Sequence, residues 1–480
     1  MKKHTLKINM LLNIIKQCCN IIIPLITYPY VSRILGAANY GKYSFADSII
    51  NIFMTIACLG IPTYAIREGA RLRNDKTRIS QFSSEVYTIN ILSLIITLFG
   101  LVIIVNLTPR FHKDALIIYI LSFNIITYIL GRDWLNNIYE DFAYITLRYI
   151  FFQIISIVLI FIFVKNSDDY IKYAFITLVA NSGGYIFNFF YTQKFVPLKI
   201  TNKINLKSHI KPILLLWGVA LAVQIYIMSD VTILGFFQPD DQVGIYSLSS
   251  KIYTIIKSLL NAVIIVTIPR ISNCLGEGKK REYILVAKEV QNILYTLIFP
   301  TVVGLFMESK NIILLIGGRE YGPGAEVIKI LCIALIFAVL GCFYAQIILV
   351  PTRNDKYFFI ATVFSAIINI VLNFIFIPQI GIYGAALTTV IAEGCVMVIC
   401  MHYARKIYPV QKNTNLLSIL LGCLCIIGIC TIINQTHYSI IIKTIFSIII
   451  SCSIYFGVAI ICKNSVVIEF YYAIKNSRKS

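Results

Sequence analysis

Polar side chains recur at helical spacing inside three apolar segments of this 480-residue sequence. Successive polar residues stand three or four positions apart, and a helix of 3.6 residues per turn places such residues on one face. The chemistry that these faces offer is binding through hydrogen bonds and charge. The three sets are Asn9, Asn13, Lys16 and Asn20; Ser44, Asp47 and Asn51; and Ser247, Ser250, Thr254, Lys257 and Asn261.

These polar faces have two interpretations, because each lies in an apolar run long enough to cross a bilayer. A charged side chain near the bilayer centre costs about 2.5 to 3.5 kcal/mol, so it must face a partner helix or water. Either the faces form hydrogen bonds and ion pairs that lock the helices together, or they line a watery cavity. The candidate cavity residues are Lys16, Asn20, Arg33, Asp47, Asn51, Asp230, Ser250, Lys251, Thr254, Lys257, Asn261 and Glu393.

Three of these charges are the strongest candidates. Lys257 and Glu393 lie near the middle of their apolar runs, and Lys16 lies well inside the first one. A long side chain in such a position reaches the interface with the greatest difficulty.

The elements that must position these residues are membrane-spanning helices. The chain is 58% hydrophobic and 13% charged, with a mean hydropathy of +0.81, which is far more apolar than a soluble core requires. Continuous Ile, Leu and Val runs favour helices over a strand barrel. We predict an all-α polytopic protein with an uncleaved first span and about fourteen spans in total, at 9–32, 43–65, 84–106, 114–134, 145–165, 171–193, 212–236, 244–269, 284–307, 325–350, 357–377, 383–403, 416–433 and 439–462.

Basic residues predict the orientation of these spans. With the N-terminus in the cytoplasm, the inside segments hold 29 of the 42 Lys and Arg residues and the outside segments hold 9. Cytoplasmic segments of membrane proteins are enriched in these residues. We therefore predict that both termini are cytoplasmic, and the bias accounts for most of the +20 net charge without a nucleic-acid partner.

A short repeat indicates two related halves. Gly41, Tyr43 and Ser44 correspond to Gly244, Tyr246 and Ser247 at an offset of 203 residues. The offset places the second span over the eighth, as two six-helix lobes with a central site require. We predict an N-terminal lobe at 1–200, a C-terminal lobe at 201–410, and a C-terminal helix pair with its tail at 411–480. The repeated segments are expected to be turns at the outer mouth of each lobe.

Several functions are excluded by what the sequence lacks. No predicted loop exceeds roughly twenty residues, which leaves no room for an extramembrane catalytic domain. No phosphate-binding P-loop is present, and the thirteen Cys and five His residues form no metal-ligand spacing. We predict neither enzymatic activity, nor a cofactor, nor a metal.

Six segments resemble one known family. The stretch RILGAANYGKYSFADS at 33–48 resembles the first-loop signature of the oligosaccharide-lipid flippases, the Wzx-type O-antigen and capsule repeat-unit transporters of the multidrug/oligosaccharidyl-lipid/polysaccharide exporter superfamily. Asn136 and Asn137 stand where that family often has an aromatic residue and Gln. The further matches, in the usual order, are YAIREGARLRND (64–75), DWLNNIYEDFAYITLR (133–148), VGIYSLSSKIY (243–253), IPRISNCLGEGKKRE (268–282) and PQIGIYGAALTTVIAE (378–393).

The resemblance implies a two-lobed transporter of the cytoplasmic (inner) membrane. Its substrate would be an undecaprenyl-pyrophosphate-linked oligosaccharide, moved by alternating access for O-antigen or capsule synthesis. Cavity lysines suit such a substrate because its diphosphate is anionic. The implied partners are this lipid-linked oligosaccharide, membrane lipids, a polysaccharide polymerase and a chain-length regulator.

Two alternatives stay open. A multidrug antiporter of the same superfamily would share the fold but have a more apolar, aromatic cavity with one or two coupling carboxylates. A membrane polysaccharide polymerase or ligase would need a large external loop, and none is predicted here.

Overall fold

The computed structural model describes residues 6–202, 205–409 and 415–470. Across these ranges the regular secondary structure is helical and contains no strand, so the all-α prediction is confirmed. A π-helix, Tyr344–Leu349, follows α12. The α-helices are α1 Leu6–Cys58, α2 Ile61–Leu72, α3 Lys76–Leu107, α4 Pro109–Lys113, α5 Ala115–Gly131, α6 Asp133–Ile138, α7 Phe142–Phe163, α8 Tyr170–Tyr191, α9 Leu206–Phe237, α10 Asp240–Gly276, α11 Lys280–Ile316, α12 Gly324–Phe343, α13 Asp355–Ala404, α14 Leu416–Gln435 and α15 Ile440–Ile461.

Two of these helices each contain two predicted spans. α1 bends at Gly36 (φ 72°, ψ 170°) and α13 bends at Gly381 (φ 56°, ψ −130°). Residues with a Cβ rarely adopt these backbone angles. In the described ranges eleven helical segments are long and apolar enough to cross a membrane. If the two halves of α1 and of α13 are counted separately and the 22-residue α8 is added, the number of spans is fourteen, as predicted.

The chain divides into two compact units, Met1–Gly244 and Ile245–Ser480. In unit 1, α1 packs against α3, α5, α7 and α9, and α8 packs against α5 and α7. In unit 2, α12 packs between α11 and α13, and α14 and α15 both contact α11. The division at residue 244 groups α9 with the first six spans, whereas the predicted lobe borders after residues 200 and 410 stay a prediction.

The distribution of side chains is the reverse of that in a soluble protein. Large apolar residues such as Ile96 and Leu107 are 72% and 76% exposed, whereas Asn136, Asn188 and Asn373 are fully buried. Lipid solvates the apolar surface, and polar groups in a bilayer must find partners inside the protein. Many of the polar side chains of these helices are therefore buried against other helices.

Candidate functional site

The polar face predicted on α10 is present in unit 2. Ile252, Tyr253 and Leu260 are buried, whereas Lys251 and Thr254 on the opposite side are exposed. The remaining members of that face are Ser247, which is buried, and Ser250, Lys257 and Asn261, which are partly exposed.

Lys257 forms an ion pair with Glu393 of α13. The distance between Lys257 Nζ and Glu393 Oε1 is 2.5 Å, and the Tyr253 hydroxyl donates to the same oxygen at 3.2 Å. The Glu393 side chain is 9% exposed and that of Lys257 is 29% exposed. Two mid-span charges that the sequence ranked highest are therefore brought together, and the ammonium keeps partial access to solvent or ligand.

The predicted residues of unit 1 lie on α1 and α9. Asn51 donates to the backbone carbonyl of Asp47 at 2.8 Å, one turn earlier on α1. Asp47 and Asp230 are partly exposed, and Arg33 and Asn20 are exposed. Lys16, half-buried, lies with its Nζ 5.5 Å from the centre of the Tyr149 ring on α7. A cavity shared by Lys16 and Lys257, which belong to different units, stays a prediction.

The repeated glycines do not form turns, so that expectation is wrong. Gly41 and Gly244 both lie inside helices, and the chain instead bends at Gly36, where the positive φ interrupts α1. Gly41 and Gly244 serve close packing. A Cβ on Gly41 would overlap the Asp240 carbonyl, and one on Gly244 would overlap the Ala37 carbonyl.

An ion-pair network lies beside these glycines at the predicted outer end of unit 1. Arg110 Nε donates to the Gly235 carbonyl at 2.6 Å, and its other nitrogens pair with Asp114 and Asp240. The guanidinium also lies 4.6 Å from the centre of the Phe45 ring. This arrangement ties α4 to the end of α9, the start of α10 and the second half of α1.

A buried charged cluster in unit 1 was not among the predicted site residues. We call it the Arg148 cluster: Arg132, Asp133, Asn136, Arg148 and Asn188. Arg148 Nη2 donates to both Asp133 oxygens at 2.8 Å. Asn188 Nδ2 lies 2.8 Å from Asp133 Oδ1 and 2.8 Å from Asn136 Oδ1. The sequence feature that could have indicated this cluster is the family-like motif at 133–148, which carries both Asp133 and Arg148.

Unit 2 also contains an apolar cavity of about 330 Å³ between α11, α14 and α15. One wall carries Glu308, which accepts hydrogen bonds from Asn311 at 2.7 Å and Asn434 at 3.1 Å. The remaining lining is mostly aliphatic and aromatic, including Leu305, Ile448 and Phe456. Such a cavity suits a hydrocarbon chain.

Metal ligation finds no support in the described parts of the chain. Over residues 6–202, 205–409 and 415–470, no three His, Cys, Asp or Glu side chains are grouped so that they would hold a metal ion.

Comparison with known proteins identifies the family. The sequence profile described as "Polysaccharide biosynthesis protein" matches residues 6–275, more than half of the chain. The chain belongs to this family. The resemblance read from the sequence motifs is thereby confirmed, and the protein is a multi-pass membrane transport protein of polysaccharide biosynthesis, not an enzyme.

The names of individual relatives are consistent with this family assignment. The chain is 24% identical over 415 residues to a protein of Escherichia coli (strain K12) named "Putative O-antigen transporter", covering 84% of this chain and 98% of the relative. It is 22% identical over 411 residues to "Capsular polysaccharide biosynthesis protein CapF" of Staphylococcus aureus, covering 82% and 97%.

The fold of this family member is similar to that of a solved transporter. The structure titled "Lipid II flippase MurJ, inward closed conformation" superposes with a TM-score of 0.71 at 18% identity and covers 94% of this chain and 99% of that one. A second profile, MatE, matches residues 217–375.

Proposed function

We propose that this protein is a flippase that moves undecaprenyl-pyrophosphate-linked oligosaccharide repeat units across the cytoplasmic membrane for O-antigen or capsule synthesis. It works by alternating access through a polar, lysine-containing cavity whose residues are those predicted from the sequence. Both termini lie in the cytoplasm. A polymerase and a chain-length regulator act on the translocated unit as partners.

The observation that carries this proposal is the surplus of buried positive charge around the carboxylate of Asp133 in unit 1. In unit 1, Arg148 pairs with Asp133 at 2.8 Å, whereas Arg132 donates to the backbone carbonyls of Leu130 and Phe189. In unit 2, Lys257 keeps a partly exposed ammonium beside its partner Glu393. Because buried cations need anionic partners, the Arg132 guanidinium, which has no carboxylate within ion-pair distance among the described residues, suits a substrate with an anionic diphosphate.

Two further features agree with a lipid-linked substrate. The apolar cavity of unit 2 offers a surface for part of an isoprenoid chain. The packed glycines and the Arg110 network hold helix ends together at the predicted outer end of unit 1, and alternating access would need such contacts in one of its states.

The MatE match favours a second candidate, a multidrug antiporter of the same superfamily. Such a protein binds organic cations, for which several lysines in the cavity would be unfavourable. The flippase therefore fits the charge distribution better.

Deletion of this chain from its host tests the proposal. We expect the lipid-linked oligosaccharide to accumulate on the cytoplasmic side and surface polysaccharide to disappear, with both restored by the wild-type gene. Normal surface polysaccharide together with increased sensitivity to cationic drugs would establish the antiporter instead.

A further inference from the structure

We propose that the Arg148 cluster, with Lys16, binds the diphosphate group of the lipid-linked substrate when it enters from the cytoplasmic side. This inference rests on the proposed function and names an anion site of which only Lys16 was among the residues predicted from the sequence. Four observations support it: uncompensated charge, unpartnered donors, backbone strain, and a path to the surface.

The cluster holds more positive charge than its carboxylate neutralises. Arg132 is 3% exposed. Among the described residues it has no carboxylate within ion-pair distance, and it donates instead to the backbone carbonyls of Leu130 and Phe189, each at 3.0 Å. The carboxylate of Asp133 is already paired with Arg148, at 2.8 Å. Burying cations without anions is unfavourable, so a dianionic ligand would complete this site.

Two donors at the cluster lack acceptors within the described part of the chain. They are Nη1 of Arg148 and Nδ2 of Asn136, both shielded from solvent. The side chain of Arg148 is 7% exposed, and Asn136 is fully buried. A donor can be satisfied only by an acceptor, and phosphate oxygens accept several hydrogen bonds from a guanidinium at once. Asn188 Oδ1 is an unpartnered acceptor and would not contact the phosphate.

The backbone at the cluster is strained. Arg132 has a φ of 55°, in the left-handed region that residues with a Cβ seldom adopt. Conformations of this kind persist where the surroundings hold them and concentrate at functional sites. Arg132 ends α5 in this conformation, and its guanidinium lies 4.5 Å from the centre of the Phe189 ring of α8.

The cluster reaches the surface of unit 1 through two residues. The Asp133 side chain is 21% exposed, and Lys16 is half-buried beside Tyr149. Asp133 follows the end of α5, which the distribution of basic residues assigns to the cytoplasm. A substrate assembled in the cytoplasm would meet this end first.

Binding of defined lipids to the purified full-length protein tests the site. The probes are undecaprenyl diphosphate, undecaprenyl monophosphate and phosphatidylglycerol, followed by the ligand-induced rise in Tm and by the Kd. For wild type we expect undecaprenyl diphosphate to bind most tightly. Arg148→Gln should weaken its binding about tenfold or more, the loss of one charge-assisted contact, and Arg148→Lys should retain part of the affinity.

Asn136→Asp is the sharper variant because it keeps the oxygen that accepts from Asn188 and replaces the unpartnered donor with a carboxylate oxygen. It should also weaken diphosphate binding about tenfold or more. Arg73→Gln is the control, since Arg73 pairs with Glu140 at the surface of the same unit, and it should bind as wild type does. If Arg148→Gln does not fold, Asn136→Asp and Arg148→Lys decide the outcome.

Wild-type affinity for undecaprenyl diphosphate in Asn136→Asp and the folded Arg148 variants would overturn the site, and so would equal binding of all three probes by wild type. A wild-type protein that binds the diphosphate but does not restore surface polysaccharide would overturn the proposed function and leave this site standing. Normal export by Asn136→Asp with unchanged affinity would reject the site alone.

Discussion

Gly41 and Gly244 pack against each other backbone to backbone. The position of a Cβ on Gly41 is occupied by the carbonyl of Asp240 and the amide nitrogen of Gly244, and a Cβ on Gly244 would overlap the Ala37 carbonyl. The two glycines repeated at an offset of 203 residues therefore join the second half of α1 to the start of α10. The repeat marks a contact at the predicted outer end rather than a pair of turns.

We expect Gly41→Ala to push α1 and α10 apart and to lower the free energy of unfolding by about 1 to 3 kcal/mol, as overpacking does. Gly244→Ala should act in the same direction. Thermal unfolding of the purified variants and surface polysaccharide in cells measure the effect. Gly100→Ala on α3 is the matched control because its Cβ would meet no atom within 4 Å. Equal stability of the Gly41 and Gly100 variants would contradict the close packing.

The Arg110–Asp240 ion pair should contribute measurably to the stability of this contact between helix ends. Both side chains are largely buried, at 18% and 10% exposure. A double-mutant cycle with Arg110→Gln and Asp240→Asn should give a coupling of about 2 kcal/mol, typical of hydrogen bonds to charged groups. The exposed pair Arg270 and Glu289, 3.4 Å apart, should couple by about 0.5 kcal/mol or less. Similar coupling free energies in the two cycles would show that the Arg110–Asp240 pair does not stabilise this contact more than a surface pair does.

Lys257→Gln tests whether its ammonium tethers α10 to α13 or serves the substrate. The variant leaves the buried Glu393 carboxylate without its cation, so we expect a loss of about 3 kcal/mol in stability. The double variant Lys257→Gln/Glu393→Gln should recover most of it, as measured by membrane abundance and thermal unfolding. If the positive charge of Lys257 also acts on the substrate, the double variant will be stable but defective in export. Wild-type abundance and export in Lys257→Gln would exclude both roles.

Asp169 should make the start of α8 sensitive to acid. The Lys172 ammonium at 2.6 Å, together with the backbone N–H groups of Lys165 and Asn166, lowers the pKa of Asp169 to about 2. Because the folded pKa lies below the unfolded value, the stabilisation is present above about pH 4 and is lost as pH falls toward 2. Asp169→Asn should be less stable than wild type at pH 6 by about 1 kcal/mol, as for a lost cap, and the difference should shrink toward pH 2. A difference that does not change with pH would contradict this assignment.

The orientation is tested by single cysteines in a background without the thirteen native ones. From the distribution of basic residues we expect 67–81, 194–211 and 270–283 to be cytoplasmic and 107–113, 237–243 and 434–438 to face outward. A membrane-impermeant thiol reagent added to intact cells should label His112→Cys and not Arg71→Cys, both of which are exposed positions. The reverse pattern would invert the topology.

The sequence alone predicted the properties that depend on local spacing. Length and apolarity of the runs determine which segments cross a bilayer, so the all-α class and the fourteen spans followed directly. The 3.6-residue period likewise placed Ser250, Thr254, Lys257 and Asn261 on one face of a helix before any neighbour was known. The family motifs agreed with the profile match.

Tertiary structure decided the partners of these residues. Lys257 and Glu393 are 136 positions apart. The periodicity within one helix cannot predict which charge on another helix it will contact. Asp133, Arg148 and Asn188 come from α6, α7 and α8, and their cluster exists only because packing sets the rotation and register of those helices. The role of Gly41 also escaped prediction, since a glycine that permits a turn and one that permits close backbone contact look the same until the neighbouring helix is in place.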